Sequence, residues 1–239
     1  MPYTFGYWDC KGLGHPIKQL LILLGEDFEE GLWSTPEQWI AKKNEVFKGE
    51  ENNALLQCPY LVDGDLIVTE STAIPYYLCQ KANRGDLLGK NLVDQTRVRQ
   101  LQGLAHDLYL STRVHFVIED RDETAEEAQV RKEKLKETAV EGGKTHTLAQ
   151  RLSEYLGEKE FLLGYFTYAD LAVTHFIQQN REACLSSGAE DPYAGFPNLI
   201  ALRKRVLALP ELKDVDESHP HFPGGWKSWT WWKTQPLPE

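Results

Sequence analysis

The sequence predicts an α/β N-terminal region with the order β-α-β-α-β-β-α, followed by an all-helical region. Three observations carry this. Short apolar runs bounded by turn signals alternate with helical patterns as far as Gln80. A Gly-, Asn- and Asp-rich stretch without periodicity then runs from Ala82 to Val93. Beyond it strand signals vanish and apolar residues recur at helical spacing. The domains are therefore expected at 1–82 and 94–239, joined by a linker at 83–93. The chain has 239 residues, 41% hydrophobic and 11% aromatic, enough to fill one large core or two smaller ones.

The first strand is Tyr3 to Trp8; Gly12 and Gly14 punctuate a turn, and Pro16 suits the first turn of a helix ending at Leu24. Tyr7 thus falls where a strand ends. Ligands of open α/β sheets collect outside the carboxyl ends of strands, so a phenol there is a candidate donor; the plainer reading is that Tyr7 and Trp8 pack on a core. Phe28 to Trp33 reads as the second strand, and Ser34-Thr35-Pro36-Glu37 as the start of a short charged helix to Val46. Pro59 to Val62, Asp63-Gly64 and Leu66 to Thr69 spell strand, tight turn, strand. Ser71 is expected to cap the next helix, through Tyr77 to Gln80.

In the second region Asp94 to Ile118, Thr124 to Leu156, Thr167 to Leu185 and Asn198 to Leu209 are expected as helices. The charge run Asp122 to Glu141 reads as a solvated helix face, with Glu127 and Arg131 a surface pair four residues apart. Thr167-Tyr168-Ala169-Asp170 is a capping box, flanked by Phe166 and Leu171 at staple positions, and serves folding. The tail, with Trp226, Trp229, Trp231 and Trp232, is expected to fold back on the body, because so much aromatic surface needs cover. His219 and His221 lack a third ligand, and no metal site is expected.

Net charge is −10, which argues against nucleic acid or anionic lipid as partners. No apolar run of ~18 residues and no basic-then-apolar start is found, so a cytoplasmic protein with no membrane partner is expected. Cys10, Cys58, Cys79 and Cys184 show neither Cys-x-x-Cys nor zinc spacing, and reduced thiols are expected.

Taken together, Tyr7, Cys58-Pro59 and Ser71 suggest one site. The backbone of Cys58, were its bond to Pro59 cis, would pair with an extended peptide. Ser71 at a helix start would take a carboxylate, Lys42 and Lys43 a second, with Trp39 beside it. That layout suits a small, doubly carboxylated peptide.

Here the sequence resembles the cytosolic glutathione S-transferases, most closely the mu class. Gly6-Tyr7-Trp8-Asp9-Cys10-Lys11-Gly12-Leu13 is similar to that class's opening, Pro59 to Gly64 to its third-strand hairpin, Thr69 to Ile74 to the helix that receives the γ-glutamyl group, and Thr167 to Asp170 to its folding box. The resemblance implies a thioredoxin-like N-terminal domain, an all-helical C-terminal domain, a homodimer, and a detoxification-type transferase adding the glutathione thiolate to electrophilic small molecules. Glutathione is then co-substrate, with no other cofactor. It implies Tyr7 as the catalytic residue, hydrogen-bonded to the glutathione sulfur. Trp8, Leu13, Trp39, Lys43, Gln57, Cys58, Pro59, Glu70 and Ser71 are implied in glutathione binding, with Asp107 reaching across to the partner subunit's site. Cys10, His106, Leu110, Arg113 and Val117 align with the second-substrate pocket.

The chain also departs from the pattern. The class's insertion after the second strand is missing, and its glycyl-carboxylate arginine falls at Pro36, leaving Lys43 and Trp39 to compensate. Glu70 replaces the usual Gln, and Leu55 lies near the aromatic dimer key. Arg113 and His106 are more polar than the family norm and imply an electrophile with an acidic or carbonyl group. Two other readings stay in view: a non-catalytic glutathione-binding or scaffold protein, and a thiol oxidoreductase using Cys10 beside Lys11.

Overall fold

Period-two alternation along β1 (Tyr3–Trp8) sets its odd and even residues on opposite faces of a sheet. In the computed structural model, which describes residues 2–47, 55, 57–113, 124–213 and 215, this strand lies inside a four-stranded sheet of order β2-β1-β3-β4. β2 (Phe28–Trp33) runs parallel to β1, reached through α1 (His15–Leu24). β3 (Tyr60–Asp63) and β4 (Leu66–Thr69) form the expected hairpin, antiparallel to β1 and to each other. Pairing sets Gly31 and Tyr60 beside Gly6, and Trp33 beside Trp8, so these five share a face.

That face carries an aromatic core of Trp33, Phe47 and Tyr60, against which Trp8, Trp39, Val46 and Cys58 pack. The Tyr60 ring lies so close over Gly6 that a Cβ there would stand 2.1 Å from Cζ, which only glycine allows. α2 (Pro36–Val46) adds Trp39 to this face, stacked on Trp33 at 4.7 Å. It starts at a Thr35–Gln38 capping box with Pro36 in its first turn. Tyr3, Phe5 and Tyr7 are buried on the opposite face, where Lys81 of α3 (Ala73–Lys81) lies 5.1 Å from the Tyr3 ring. α3 corrects one expectation: its N-cap is Thr72, with no side-chain cap bond, so Ser71 precedes the cap. Glu70 at φ +75° turns the chain first, and its carbonyl accepts the N–H groups of Ala73 and Ile74.

The chain divides into two compact units between Arg84 and Gly85. In the second, a 3-10 turn (Gly85–Leu88) buries Leu87 and Leu88 inside the stretch expected as a linker. α4 (Leu92–Arg113) follows. The single helix expected from Thr124 to Leu156 is two, α5 (Ala125–Ala139) and α6 (Lys144–Leu156). Gly142 at φ +83° breaks it, and the Gly143 Cα comes so close to the Glu137 carbonyl that a Cβ would meet it at 2.3 Å. A second correction falls in α5: Arg131 is only 8% exposed, and the Glu127 carboxylate closes a capping box with Thr124.

α7 (Tyr168–Ser186) is buried without a break from Tyr168 to Ile177, as befits the central helix of a bundle. At its start the Asp170 carboxylate accepts the N–H of Leu162, the N–H of Thr167 and the Thr167 hydroxyl. Burial outweighs those donors and pushes the carboxyl up to about 6. α8 (Pro197–Leu207) completes the unit. Among the described residues, no helix is long and apolar enough to cross a membrane, and no group of three His, Cys, Asp or Glu is placed to hold a metal. The Trp-rich tail, His219 and His221 lie outside the described residues.

Candidate active site

The Tyr7 ring is 5% exposed and lies against the turn that follows β1. A Cβ at Gly14 would stand 2.5 Å from Tyr7 Cδ1, and one at Gly12 2.6 Å from the hydroxyl. The two glycines that read as turn punctuation therefore also make room for the ring. The turn in exchange supplies a donor: the Leu13 N–H points at Tyr7 Oη, 2.8 Å away. An N–H donated to a phenol oxygen stabilises negative charge on it and strengthens the O–H as a donor in its own right. A crevice of about 20 Å³ beside the ring is lined by Tyr7, Cys10, Lys11, His15, Lys18 and Glu30, the last two an ion pair at 2.6 Å. It is large enough for about one water.

The other residues singled out in the first unit fall into groups. Trp8 meets Trp33 edge-on at 5.9 Å, and Leu13 is half-buried. Cys10, half-buried, follows the strand with its N–H on the Trp8 carbonyl. The Cys58–Pro59 bond is cis. The Cys58 N–H is already engaged, donating to Gln57 Oε1 at 3.1 Å, so a ligand main chain would have to displace that exposed amide. Trp39 packs on the aromatic core, whereas Lys43 and Glu70 are exposed and Ser71 is half-buried. Glu70 holds a backbone conformation uncommon for a residue with a Cβ, and such positions concentrate at ligand sites.

In the second unit, His106, Leu110 and Arg113 lie four and three residues apart on α4, one stripe of the helix. The His106 ring is 5.8 Å from Tyr109, and the Arg113 guanidinium lies 5.5 Å from the same ring. Asp107 is exposed on α4, and Val117 lies outside the described residues.

Two residues not singled out from sequence stand out by their environment. Among the described residues, the buried Trp33 indole N–H and Tyr60 hydroxyl have no hydrogen-bond partner. Burial, with Glu45 and Cys58 adding to it, pushes the Tyr60 phenol up to about 12. Matching glycine–aromatic spacing, Gly6-x-Trp8 and Gly31-x-Trp33, would have put both aromatic rows on one face.

Comparison with known proteins bears on the family and the fold. The model of the glutathione S-transferase N-terminal domain matches residues 3–80, and that of the C-terminal domain residues 114–219. The class-mu 26 kDa isozyme 7 glutathione S-transferase of Fasciola hepatica is 27% identical over 232 residues, 96% of this chain and 95% of the relative. Glutathione S-transferase Mu 1 of Macaca fascicularis is 31% identical over 210 residues, 83% of each chain. A solved structure described as rat hPGDS complexed with a quinoline superposes with a TM-score of 0.68 at 21% identity, covering 89% of this chain and 94% of its own, a likeness of fold. Two matched domains in order, and a relative above 30% identity across most of both chains, place this protein in the glutathione S-transferase family of enzymes.

Proposed function

We propose that the protein transfers glutathione to electrophilic carbon of small molecules, in a detoxification role, with Tyr7 holding the thiolate. The observation that carries this reading is the Leu13 N–H on Tyr7 Oη at 2.8 Å, at the end of the central strand. A free thiol titrates near 8.5, and lowering it by ~1.5 units is worth about 2 kcal/mol. One hydrogen bond to a charged sulfur, roughly 1.5–3 kcal/mol, supplies that. The thiol proton leaves to solvent, the Tyr7 O–H donates to the sulfur, and the thiolate forms the new S–C bond as the leaving group departs or the acceptor bond takes up the electron pair.

In this reading Gln57, Cys58 and Pro59 receive the cysteinyl main chain once the Gln57 amide is displaced. Glu70 and Ser71 receive the γ-glutamyl end, Trp39 and Lys43 the glycyl carboxylate, and Trp8 and Leu13 line the groove. Cys10, His106, Leu110, Arg113 and Val117 serve the second substrate, an electrophile with an acidic or carbonyl group. Equal binding of anionic and neutral glutathione conjugates would count against that preference. Residues 1–82 form the glutathione-binding domain, 83–93 the linker and 94–239 the helical domain. The protein works in the cytoplasm with glutathione as its only co-substrate.

A homodimer with Asp107 lent to the partner subunit's site is supported by two surface features. Leu55 is 65% exposed, and a cavity of about 250 Å³ between α4 and α6 is lined by Leu101, Leu104, Leu152 and Tyr155 together with Arg97, Gln100 and Arg151. An apolar side chain and an apolar cavity of this kind are complementary across two copies. Leu55→Glu is then expected to shift the sedimenting species toward monomer.

The scaffold reading draws on the engaged Cys58 N–H and on Pro36 in the arginine's place. Retention on immobilised glutathione followed by a rate with an aryl halide separates the two. Turnover that falls in Tyr7→Phe and persists in Cys10→Ser supports the transferase. Binding without turnover favours the scaffold, and the reverse mutant pattern favours Cys10 chemistry.

A further inference from the structure

On α4, Leu101 and Leu104 follow Arg97 by four and seven residues, one stripe of the helix, and on α6 Tyr155 follows Arg151 by four. The two stripes enclose the cavity of about 250 Å³. Leu101 and Leu152, 6% and 1% exposed, form its floor, and Arg97 and Arg151, both exposed, stand at its rim. Neither arginine meets a carboxylate among the described residues. Arg97 Nη1 donates to the neutral Gln100 Oε1 at 2.8 Å, and Arg151 makes no hydrogen bond or ion pair there. The Lys159 ammonium, 4.0 Å from the Tyr155 ring, adds a third positive charge nearby, while the neighbouring Glu154 accepts from Gln150. In a chain of net charge −10, carboxylates are not scarce. Exposed arginines are ordinary, but two of them across an apolar cavity of this size describe a ligand: an apolar body that carries a negative charge. Leu55 of the partner subunit, proposed above for this cavity, would cover the leucines and leave both guanidinium groups without an acceptor.

We propose that the α4–α6 cavity binds a small apolar carboxylate, which competes with Leu55 of the partner subunit and so favours the monomer. The competition rests on the dimer reading above, and the ligand's chemistry on the cavity alone. An apolar cavity of roughly 150 Å³ holds benzene, so this one takes about two fused rings or a chain of similar size. The apolar body lies on Leu101, Leu104 and Leu152, and the carboxylate accepts from Arg151, and from Arg97 once Gln100 releases it. Apolar burial supplies the affinity, and the arginines select the anion over a neutral isostere. The lining holds no cysteine, histidine or carboxylate, so the ligand is bound there and not converted. Because each subunit of a dimer would present one such cavity, ligand at ten times its Kd raises the dimer dissociation constant roughly 100-fold.

The test titrates the full chain with 2-naphthoate and with the neutral 2-naphthamide by calorimetry, and follows the sedimenting species with and without 2-naphthoate. The naphthoate is expected to bind at least about tenfold more tightly than the amide, and to be weakened about tenfold by Arg151→Gln, an exposed position whose loss leaves the packing intact. Leu104→Trp, which fills the cavity, is expected to abolish binding, and Arg113→Gln to leave it unchanged. The dimer dissociation constant is expected to rise as calculated. Equal binding of acid and amide, indifference to Arg151→Gln, or loss in Arg113→Gln, which would mark the second-substrate pocket, overturns the site. No binding by dimeric protein overturns it too and assigns the cavity to the partner's Leu55. A dimer unmoved at saturation overturns the competition. A chain that is monomeric without ligand removes the dimer reading, and with it the competition, while naphthoate binding that depends on Arg151 still supports the site.

Discussion

Two tyrosines on opposite faces of one sheet show how differently the same side chain is used. Tyr7 and Tyr60 are both nearly fully buried, and each ring lies over glycines that leave it room. Around Tyr7 the glycines belong to a turn that also brings an N–H to the hydroxyl oxygen. Around Tyr60 they belong to strands, whose N–H groups lie in the plane of the sheet and not on the face the ring covers, and the hydroxyl finds no partner among the described residues. The difference teaches that burial alone does not say whether a phenol oxygen has a donor beside it. The backbone next to the oxygen does: the turn aims an N–H at it, and the strands aim theirs along the sheet.

The largest expected effect extends this contrast to Asp170, where a buried carboxylate meets three donors. Asp170→Ala orphans the Leu162 and Thr167 N–H groups and is expected to cost about 4 kcal/mol in denaturant unfolding. The pH dependence has a definite sign. Because burial raises this carboxyl to about 6, the unfolded chain ionises first as pH rises, and stability is lost between about 4 and 6. The loss approaches about 3 kcal/mol and is expected to be absent from Asp170→Asn.

Next in size is Gly6→Ala, which drives a Cβ into the Tyr60 ring and is expected to cost about 3 kcal/mol, partly recovered when Tyr60→Leu is added. Tyr7→Phe should lower kcat/KM roughly 10- to 100-fold while unfolding stays within about 1 kcal/mol of wild type. Smallest is Tyr60→Phe: removing an unpaired buried hydroxyl should leave stability unchanged or raise it by up to about 1 kcal/mol. A large loss there would mean that Tyr60 has a partner in solution, and the contrast between the two phenols would fail.

Much of this architecture was legible in the residues. Short apolar runs gave the strands, Asp63-Gly64 the hairpin, Ser34 to Glu37 a helix start and Thr167 to Asp170 a capping box, because each depends on neighbours close in sequence. What escaped lay in left-handed backbone turns and in tertiary packing. The helix expected through Glu141-Gly142-Gly143 kept an apparently continuous apolar pattern across its break. Ser71 looked like a cap until the left-handed turn at Glu70 moved the start of α3 on by one residue. Arg131 read as solvated because periodicity cannot say which charged residue of a run faces the bundle. In the candidate site, Tyr7 was marked by its place at a strand end. The unpaired donor of Trp33 escaped because it is a property of the packed core, although the spacing Gly6-x-Trp8 and Gly31-x-Trp33 marked the face its ring lies on.

The most direct measurement is an ultraviolet difference titration of the thiol of glutathione bound to the wild-type protein and to Tyr7→Phe. The wild-type complex is expected to titrate near 7, about 1.5 units below free thiol, and the variant complex close to the free value of about 8.5. Coincident curves would contradict the assignment of Tyr7 as the group that holds the thiolate.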